Sequence, residues 1–218
     1  MAIAERFPDA EVVATDITTA FQPSTGPPNC EFELDDAREE WAYGEGFDFV
    51  HMRGMSGAFE DWGKIYAEVG KHLRPGGLFE IKDRGFIKLR VEPKDSWVSV
   101  FNGAVQSGAQ NAGRLIGLEH LRKQMFENAG LSVVKNKNFE VPLGPYSADP
   151  MKKVAGKMAM IAALEGLEAV SLRLLTRELG WKEEDVRELC GKVREEVMNP
   201  QARAYVVCQV VVARKLMM

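Results

Sequence analysis

Hydrophobic and polar residues alternate along this chain with two different periods, one typical of helices and one typical of strands. Between residues 61 and 73, apolar residues recur every three or four positions, which predicts an amphipathic helix. Segment 75–77, Pro-Gly-Gly, follows and predicts a tight reversal, because proline cannot continue a helix and glycine permits unusual backbone angles. An apolar stretch over 78–82 then predicts a short buried strand. Helix, turn and strand in this order are typical of one half of a parallel α/β sheet.

The same periods predict the remaining elements of the chain. Five further strands are predicted over 11–15, 30–34, 47–52, 131–139 and 205–213. Helices are predicted around 97–101, 115–126, 151–179 and 183–198, and residues 1–10 have the pattern of a helix end. The last predicted strand is rich in valine, which indicates a central strand buried on both faces. Strands that alternate with helices predict an α/β fold.

Composition and charge narrow the class of protein. Hydrophobic residues make up 45% of the 218 residues and charged residues 28%, as in ordinary globular proteins. The net charge of −4 gives no support to a nucleic-acid or membrane surface. Because the chain has neither a long apolar run nor a signal peptide, we expect an intracellular protein, cytoplasmic or nuclear. Cys30, Cys190 and Cys208 are widely spaced, which predicts neither a metal site nor a disulfide.

Acidic residues stand at the ends of the first two predicted strands. Asp16 ends the first strand, and Asp35 and Asp36 follow the second. Carboxylates at the carboxyl ends of parallel strands are well placed to accept hydrogen bonds from a ribose. A second acidic strand end would suit the amino group of adenine. These residues could equally cap surface turns, and His51 at the end of the third strand could be structural or bind a ligand, so both interpretations stay open.

Longer stretches of the chain resemble the class I S-adenosylmethionine-dependent methyltransferases, and more narrowly the LaeA-like methyltransferases of filamentous fungi. The fairly specific blocks are Pro-Pro-Asn at 27–29 and Asp-Asp-Ala at 35–37, whereas Arg-Pro-Gly-Gly at 74–77 marks only the superfamily. Other similar stretches lie at 15–16, 21–23, 40–41, 47–53, 61–62, 141–145 and 214–215. The resemblance implies a single domain over 1–218, with a Rossmann-like sheet, helices on both faces and an antiparallel last strand.

The resemblance also implies a cofactor and a reaction. The chain would bind S-adenosylmethionine and transfer its methyl group to a small-molecule or protein acceptor in fungal secondary metabolism. The implied cofactor contacts are Asp16, Ile17, Asp36, Ala37, His51 and Met52. The resemblance places Arg53 at the substrate entrance, and Trp97 and Tyr146 are further candidate substrate contacts that could instead be packing residues. Methyl transfer depends on aligning an electrophilic methyl group with its acceptor, so we expect neither a catalytic dyad nor a metal.

The beginning of the sheet departs from this family. The family starts with a strand that ends in a Glu/Asp-x-Gly-x-Gly loop, and no such loop is found here after a first strand. We therefore expect a domain that is truncated at its N-terminus, without the strand that the family places between the strands over 11–15 and 47–52. These two strands would pair directly, expose free edges, or accept a strand from a second copy or a partner chain.

Two other functions stay open at this point. A non-methylating enzyme, such as a cyclase, could reuse the substrate pocket of the methyltransferase fold. A regulatory or scaffold protein could use the fold without catalysis. Fold alone does not decide between these functions.

Overall fold

The structure, a computed structural model, describes residues 2–23, 25–44 and 46–217. These residues form two compact units, Met1–Gly44 and Glu45–Met218. The single-domain organisation expected from the sequence stays a prediction. None of the helices within the described ranges is both long enough and apolar enough to cross a membrane.

The first unit contains a short helix and a two-stranded parallel sheet. Its elements are α1 (Ala2–Arg6), β1 (Val12–Asp16), a 3-10 turn (Thr19–Phe21) and β2 (Cys30–Leu34). β1 and β2 lie in parallel register, with Asp16 opposite Leu34. The helix end and both strands agree with the sequence prediction. The carboxyl ends of the two strands therefore lie side by side.

One side chain ties the parts of the first unit together. The Asn29 side-chain amide donates hydrogen bonds to the carbonyl oxygens of Ala4, Phe7 and Ala10, at 3.1, 3.1 and 2.8 Å. These carbonyls belong to α1 and to the turn that follows it, so the asparagine satisfies acceptors that the short helix leaves open. The Pro-Pro-Asn block thus has a structural role next to β2.

The second unit contains a four-stranded mixed sheet with helices on both faces. Its elements are β3 (Phe47–Arg53), α2 (Trp62–His72), β4 (Leu73–Lys88), α3 (Trp97–Asn111), a 3-10 turn (Glu119–Leu121), α4 (Lys123–Asn128), β5 (Leu131–Pro142), α5 (Pro150–Glu178), α6 (Glu183–Met198) and β6 (Tyr205–Lys215). The strand order is β3-β4-β6-β5. β3 runs parallel to β4, and β6 runs antiparallel to both of its neighbours. The predicted antiparallel last strand is confirmed.

Two hydrophobic clusters cover opposite faces of this sheet. On one face, the Tyr66 ring of α2 stacks on Phe126 of α4 and contacts Phe79 of β4, with ring centroids 4.6 and 5.7 Å apart. On the other face, α3, α5 and α6 enclose Val206 and Cys208 of β6. Burial of these apolar side chains is the main favourable contribution to folding. The helices on both faces agree with the implied fold.

β4 differs from its prediction in both length and start. The predicted strand covered 78–82, whereas the observed strand runs over 16 residues. Leu73 already pairs with Phe47, and the next paired residue, Phe49, lies opposite Leu78. Residues 75–77 therefore form a bulge inside the strand, and the predicted reversal between helix and strand is wrong. The extension to Lys88 arises because β6 continues as far as Tyr205 and pairs with it.

Two other predictions need correction. The predicted helix over 115–126 is wrong, because this segment contains only the 3-10 turn and the beginning of the six-residue α4. β6 is central as predicted, but each of its two faces is buried over only part of the strand. Val206, Cys208, Val211 and Ala213 are buried, whereas the residues between them are mostly half-buried. Helices α2 to α6 cover only parts of the two faces of β6.

β1 and β3 each have a free edge among the described residues. Within the described residues β1 pairs with β2 alone, and β3 pairs with β4 alone. Free edges were one of the three outcomes expected from the sequence. An edge strand presents unpaired backbone N–H and C=O groups to any strand that approaches it.

The loop that follows β5 is held against α5 by a close approach of two backbones. The Gly144 amide donates a hydrogen bond of 3.0 Å to the carbonyl oxygen of Gly156, in the first third of α5. A methyl group at Gly156 would overlap the carbonyl oxygen of Gly144 and lie 3.3 Å from that of Pro142. Gly166, in the same helix, has no neighbouring atom within 4 Å of such a methyl group.

These two glycines give a matched test of the loop contact. We expect Gly156→Ala to lower the free energy of unfolding by about 1–3 kcal/mol, because the loop must move to admit the methyl group. Gly166→Ala should raise it by about 0.5–1 kcal/mol through helix propensity alone. Urea denaturation of both variants measures the two changes. Equal changes in the two variants would contradict the close contact.

Candidate functional site

Asp16 lies at the carboxyl end of β1 with part of its carboxylate free. Its Oδ1 accepts a hydrogen bond from the Thr18 amide at 3.0 Å. Its backbone carbonyl accepts one from the Asp35 amide at 3.1 Å, which joins the ends of the two parallel strands. Oδ2 accepts no hydrogen bond from any described residue. This oxygen can accept a hydrogen bond from a hydroxyl group of a ligand.

Asp36 follows β2 and is held by a nearby arginine. Arg38 Nε lies 2.9 and 3.0 Å from the two carboxylate oxygens of Asp36, and the Arg38 amide donates to Oδ1 at 3.0 Å. Hydrogen bonding from the Arg38 side chain is the main reason that the pKa of Asp36 falls to about 2. The carboxylate is therefore ionised at neutral pH and retains lone pairs that can accept from an amino group.

Ala37 presents its backbone next to this carboxylate. Its carbonyl oxygen accepts a hydrogen bond from the Trp41 indole at 3.2 Å. Its amide N–H has no acceptor among the described residues. Ile17, which follows Asp16, leaves 70% of its side chain exposed. A free acceptor, an ionised carboxylate, a free N–H and an exposed aliphatic side chain fit the ribose and the base of a nucleoside.

The predicted residues of the second unit lie at the end of β3. His51 faces Glu80 on the neighbouring β4, with Nδ1 3.2 Å from Oε1, and its ring stacks on Phe49 at 6.2 Å. Met52 is half-buried, and Arg53 is exposed. His51 thus has a structural partner, and its other ring nitrogen can serve a ligand.

The three candidate substrate contacts occupy different places in the second unit. Arg53 lies level with Lys82 of β4 and, through it, with Val210 of β6. Tyr146 lines a groove beside Tyr205, which is five residues or about 17 Å further along β6. Trp97 begins α3, and Lys192 of α6 lies 4.1 Å above its ring. The contact of Arg53, Trp97 and Tyr146 with a substrate stays a prediction.

Comparison with known proteins identifies the family. The model of a methyltransferase domain family matches residues 2–136. The secondary metabolism regulator LAE1 of Cochliobolus heterostrophus is 31% identical over 215 residues, which cover 93% of this chain and 68% of LAE1. This chain belongs to the methyltransferase domain family and to its LaeA-like group.

Other similarities agree with this family. The methyltransferase pytC of Aspergillus terreus is 29% identical over 211 residues, which cover 95% of this chain and 65% of pytC. The chain thus spans slightly less than two thirds of that relative. A similar solved structure is that of phosphoethanolamine N-methyltransferase 2 from Haemonchus contortus, in complex with phosphomonomethylethanolamine and S-adenosylhomocysteine. The match covers 98% of this chain and 46% of the Haemonchus chain. With a TM-score of 0.53 and 14% identity, it shares the methyltransferase fold.

Sequence analysis of this methyltransferase-family chain missed a buried acid–base pair. His120 Nε2 lies 3.3 Å from Asp83 Oδ2, and the two side chains are 0% and 1% exposed. The Trp62 ring stacks on His120 with a centroid distance of 4.0 Å. Asp83 ends the predicted strand over 78–82, but nothing in the sequence pairs it with a residue 37 positions later. Only the folded chain brings these two side chains together.

The buried pair positions the loop that follows β3. Asp83 Oδ2 accepts a hydrogen bond from the Met55 amide at 2.9 Å, and Oδ1 accepts one from the Arg84 amide at 3.0 Å. The Tyr66 hydroxyl donates to the His120 carbonyl at 2.9 Å. The Asp83 carboxylate therefore links β4, at the level where β3 ends, to the loop after Arg53. It is a positioning residue for the strand ends.

We expect Asp83→Ala to lower the free energy of unfolding by about 1–3 kcal/mol, because it removes the buried acceptor of the Met55 and Arg84 amides. Asp48→Ala is a matched control, since Asp48 forms an exposed ion pair of 2.7 Å with Arg74. The control should lose less than about 1 kcal/mol. Chemical denaturation measures both, and similar losses would contradict a structural role of the buried pair.

Proposed function

We propose that this chain is an S-adenosylmethionine-dependent methyltransferase of fungal secondary metabolism, with a small-molecule or protein acceptor, that acts in the cytoplasm or the nucleus. Membership of the methyltransferase family and the names of pytC and LAE1 support the reaction and the biological setting. The single observation that carries the proposal is the pair of acidic strand ends at β1 and β2. Their free groups have the chemistry that a nucleoside requires.

Each proposed contact residue binds one part of the cofactor: the ribose, the adenine or the methionine part. Asp16 Oδ2 accepts from the ribose hydroxyls, and Ile17 covers the ribose or the base with its exposed side chain. Asp36 accepts from the adenine amino group, and the Ala37 amide donates to a ring nitrogen of adenine. For the second unit, the family resemblance supports contacts of His51 and Met52 with the methionine part.

The bound cofactor supplies an electrophilic methyl group on a positively charged sulfur. The chain then has to hold the acceptor, align it with that methyl group and exclude water. Arg53 is exposed at the end of β3, and we propose that it contacts the molecule that accepts the methyl group. Trp97 and Tyr146 are further proposed acceptor contacts, and Trp97 would bind through the part of its surface that Lys192 leaves open.

Calorimetric titration with S-adenosylhomocysteine tests cofactor binding directly. We expect micromolar affinity for the wild-type chain and loss of at least tenfold in Asp36→Ala, since a hydrogen bond to a charged group contributes about 1.5–3 kcal/mol. Asp9→Ala removes an exposed carboxylate from the same unit and should leave the affinity unchanged. Circular dichroism confirms that each variant is folded. A folded wild-type chain that does not bind the ligand would refute the proposal.

We propose, as a second function, that a second copy of this chain completes the sheet at β3. Three features support it: β3 pairs only with β4 in the described part of the chain, it is seven residues long, and Phe49 is 41% exposed. A two-fold axis would place the two β3 strands antiparallel, edge to edge. A strand from a different partner chain is the alternative, and either assembly would suit a scaffold or regulatory protein.

Sedimentation velocity over a range of concentrations tests this assembly. We expect the wild-type chain to dimerise and Phe49→Lys to stay monomeric, because a lysine on an edge strand opposes edge-to-edge pairing. Phe7→Lys, at a residue that is 55% exposed outside the sheets, should dimerise like the wild type. A wild-type chain that is monomeric at every concentration would exclude pairing of β3 with a second copy. Pairing with a strand from a different partner chain would then be the remaining alternative.

A further inference from the structure

A polar groove lies at the carboxyl ends of β4 and β5, next to the first residue of β6. We call it the arginine groove, and its lining includes Arg90, Glu140, Tyr146, Gln201, Arg203 and Tyr205. Its volume of about 510 Å³ lies within the range of about 300–1,000 Å³ for small-molecule sites. The carboxyl ends of parallel strands are where open α/β sheets bind ligands.

Backbone hydrogen bonds fix the floor of the arginine groove. The Arg90 amide donates to the Ala202 carbonyl at 2.9 Å, and the Leu143 amide donates to the Ala204 carbonyl at 2.7 Å. Both alanines are buried, with 5% and 0% exposure. Three separate segments of the chain are thus joined at one place, and the groove exists before any ligand binds.

Arg203 stands between these two alanines in an unusual conformation. Its φ of 46° is the only positive φ of a non-glycine residue among those described. The left-handed conformation is unfavourable for a residue with a side chain, and glycine would avoid this strain. The Arg203 side chain is exposed at the groove and forms no ion pair with a described residue. Its guanidinium is therefore free to bind an anion with two parallel hydrogen bonds.

The other groups of the arginine groove form a flat and nearly neutral wall. Arg90 forms an ion pair with Glu140, and its guanidinium carbon lies 4.1 Å from the centre of the Tyr205 ring. Arg203 is then the one unbalanced charge among the residues that line the groove. Burial raises the pKa of Tyr146, and its hydroxyl, which is protonated at neutral pH in any case, can donate a hydrogen bond. The close approach of the Tyr146 ring to Gly144 holds this side chain in place.

We propose that the arginine groove binds an organic anion that carries a planar ring, with the carboxylate on Arg203 and the ring against the stacked side chains of Arg90 and Tyr205. A single unpaired guanidinium selects one negative charge, and the stacked aromatic wall selects a flat partner. The groove lies about 17 Å along β6 from the level of Arg53, at the spacing of antiparallel strands. The proposal concerns ligand binding at this groove and does not rest on methyl transfer.

A pair of matched probes tests the proposal on the full chain. Calorimetry with 2-naphthoate and with neutral 2-naphthamide should show binding of the naphthoate and at least tenfold weaker binding of the amide. Arg203→Gln should weaken naphthoate binding at least tenfold, and Arg203→Lys should weaken it less, because lysine keeps the charge but loses the two parallel hydrogen bonds. Arg122→Gln, at an exposed arginine near α4, is the matched control and should bind naphthoate as the wild type does.

Arg203→Gly separates binding from folding. This variant should lose naphthoate binding as Arg203→Gln does, while its melting temperature rises, because glycine accepts the left-handed backbone without strain. Equal affinity for the acid and the amide, or full affinity in Arg203→Gln, would overturn the proposal. Binding of a glutamate-rich peptide through Arg203, without binding of naphthoate, would overturn the small-molecule class in favour of an acidic peptide.

Discussion

Strand β6 pairs on both sides along its length, and this double pairing connects the parts of the second unit. One edge of β6 carries β4, and the other edge carries β5. Val206 and Cys208 face the helices α3, α5 and α6, whereas Val211 and Ala213 lie on the opposite face beside the residues packed under α2. Every hydrophobic layer of this unit thus contacts β6. Its valine-rich sequence suits a strand with packed neighbours on both faces.

Local sequence patterns predicted most of the fold because most elements have a clear period and clear ends. α2 begins after the Asp61 cap, whose side chain accepts from the Lys64 amide at 3.0 Å, and α5 begins with Pro150 after the Asp149 cap. Such signals act over a few residues and are visible in the sequence. The extension of β4 to Lys88 could not be predicted in this way, because it depends on pairing with Tyr205, far along the chain. The segment over 115–126 has helical spacing, but Gly117 adopts a φ of 80° and interrupts it.

In the candidate sites, too, features that depend on neighbouring residues could be predicted from the sequence, whereas features that depend on distant residues could not. Asp16 and Asp36 could be predicted as neighbours, because each directly follows a strand and the two strands are parallel. The Asp83–His120 pair could not, since it joins the middle of β4 to a distant segment whose helical spacing predicted the wrong local structure. Arg203 could not either, because nothing in the sequence distinguishes its backbone conformation from that of an ordinary residue before a strand. The family resemblance supplied the cofactor, and the structure added the free atoms that fit a nucleoside.

The position of β6 in the sequence has a consequence during synthesis. β3 and β4 leave the ribosome long before β6, which begins only at Tyr205. At translation rates of about 5–20 residues per second, the edge of β4 that awaits β6 stays unpaired for on the order of ten seconds. For this period the nascent chain exposes a strand with open backbone groups and apolar side chains such as Phe79 and Ile81, which is the kind of segment that can aggregate. The yield of folded protein in a cell therefore depends on chaperone capacity and translation speed as well as on the stability of the finished sheet.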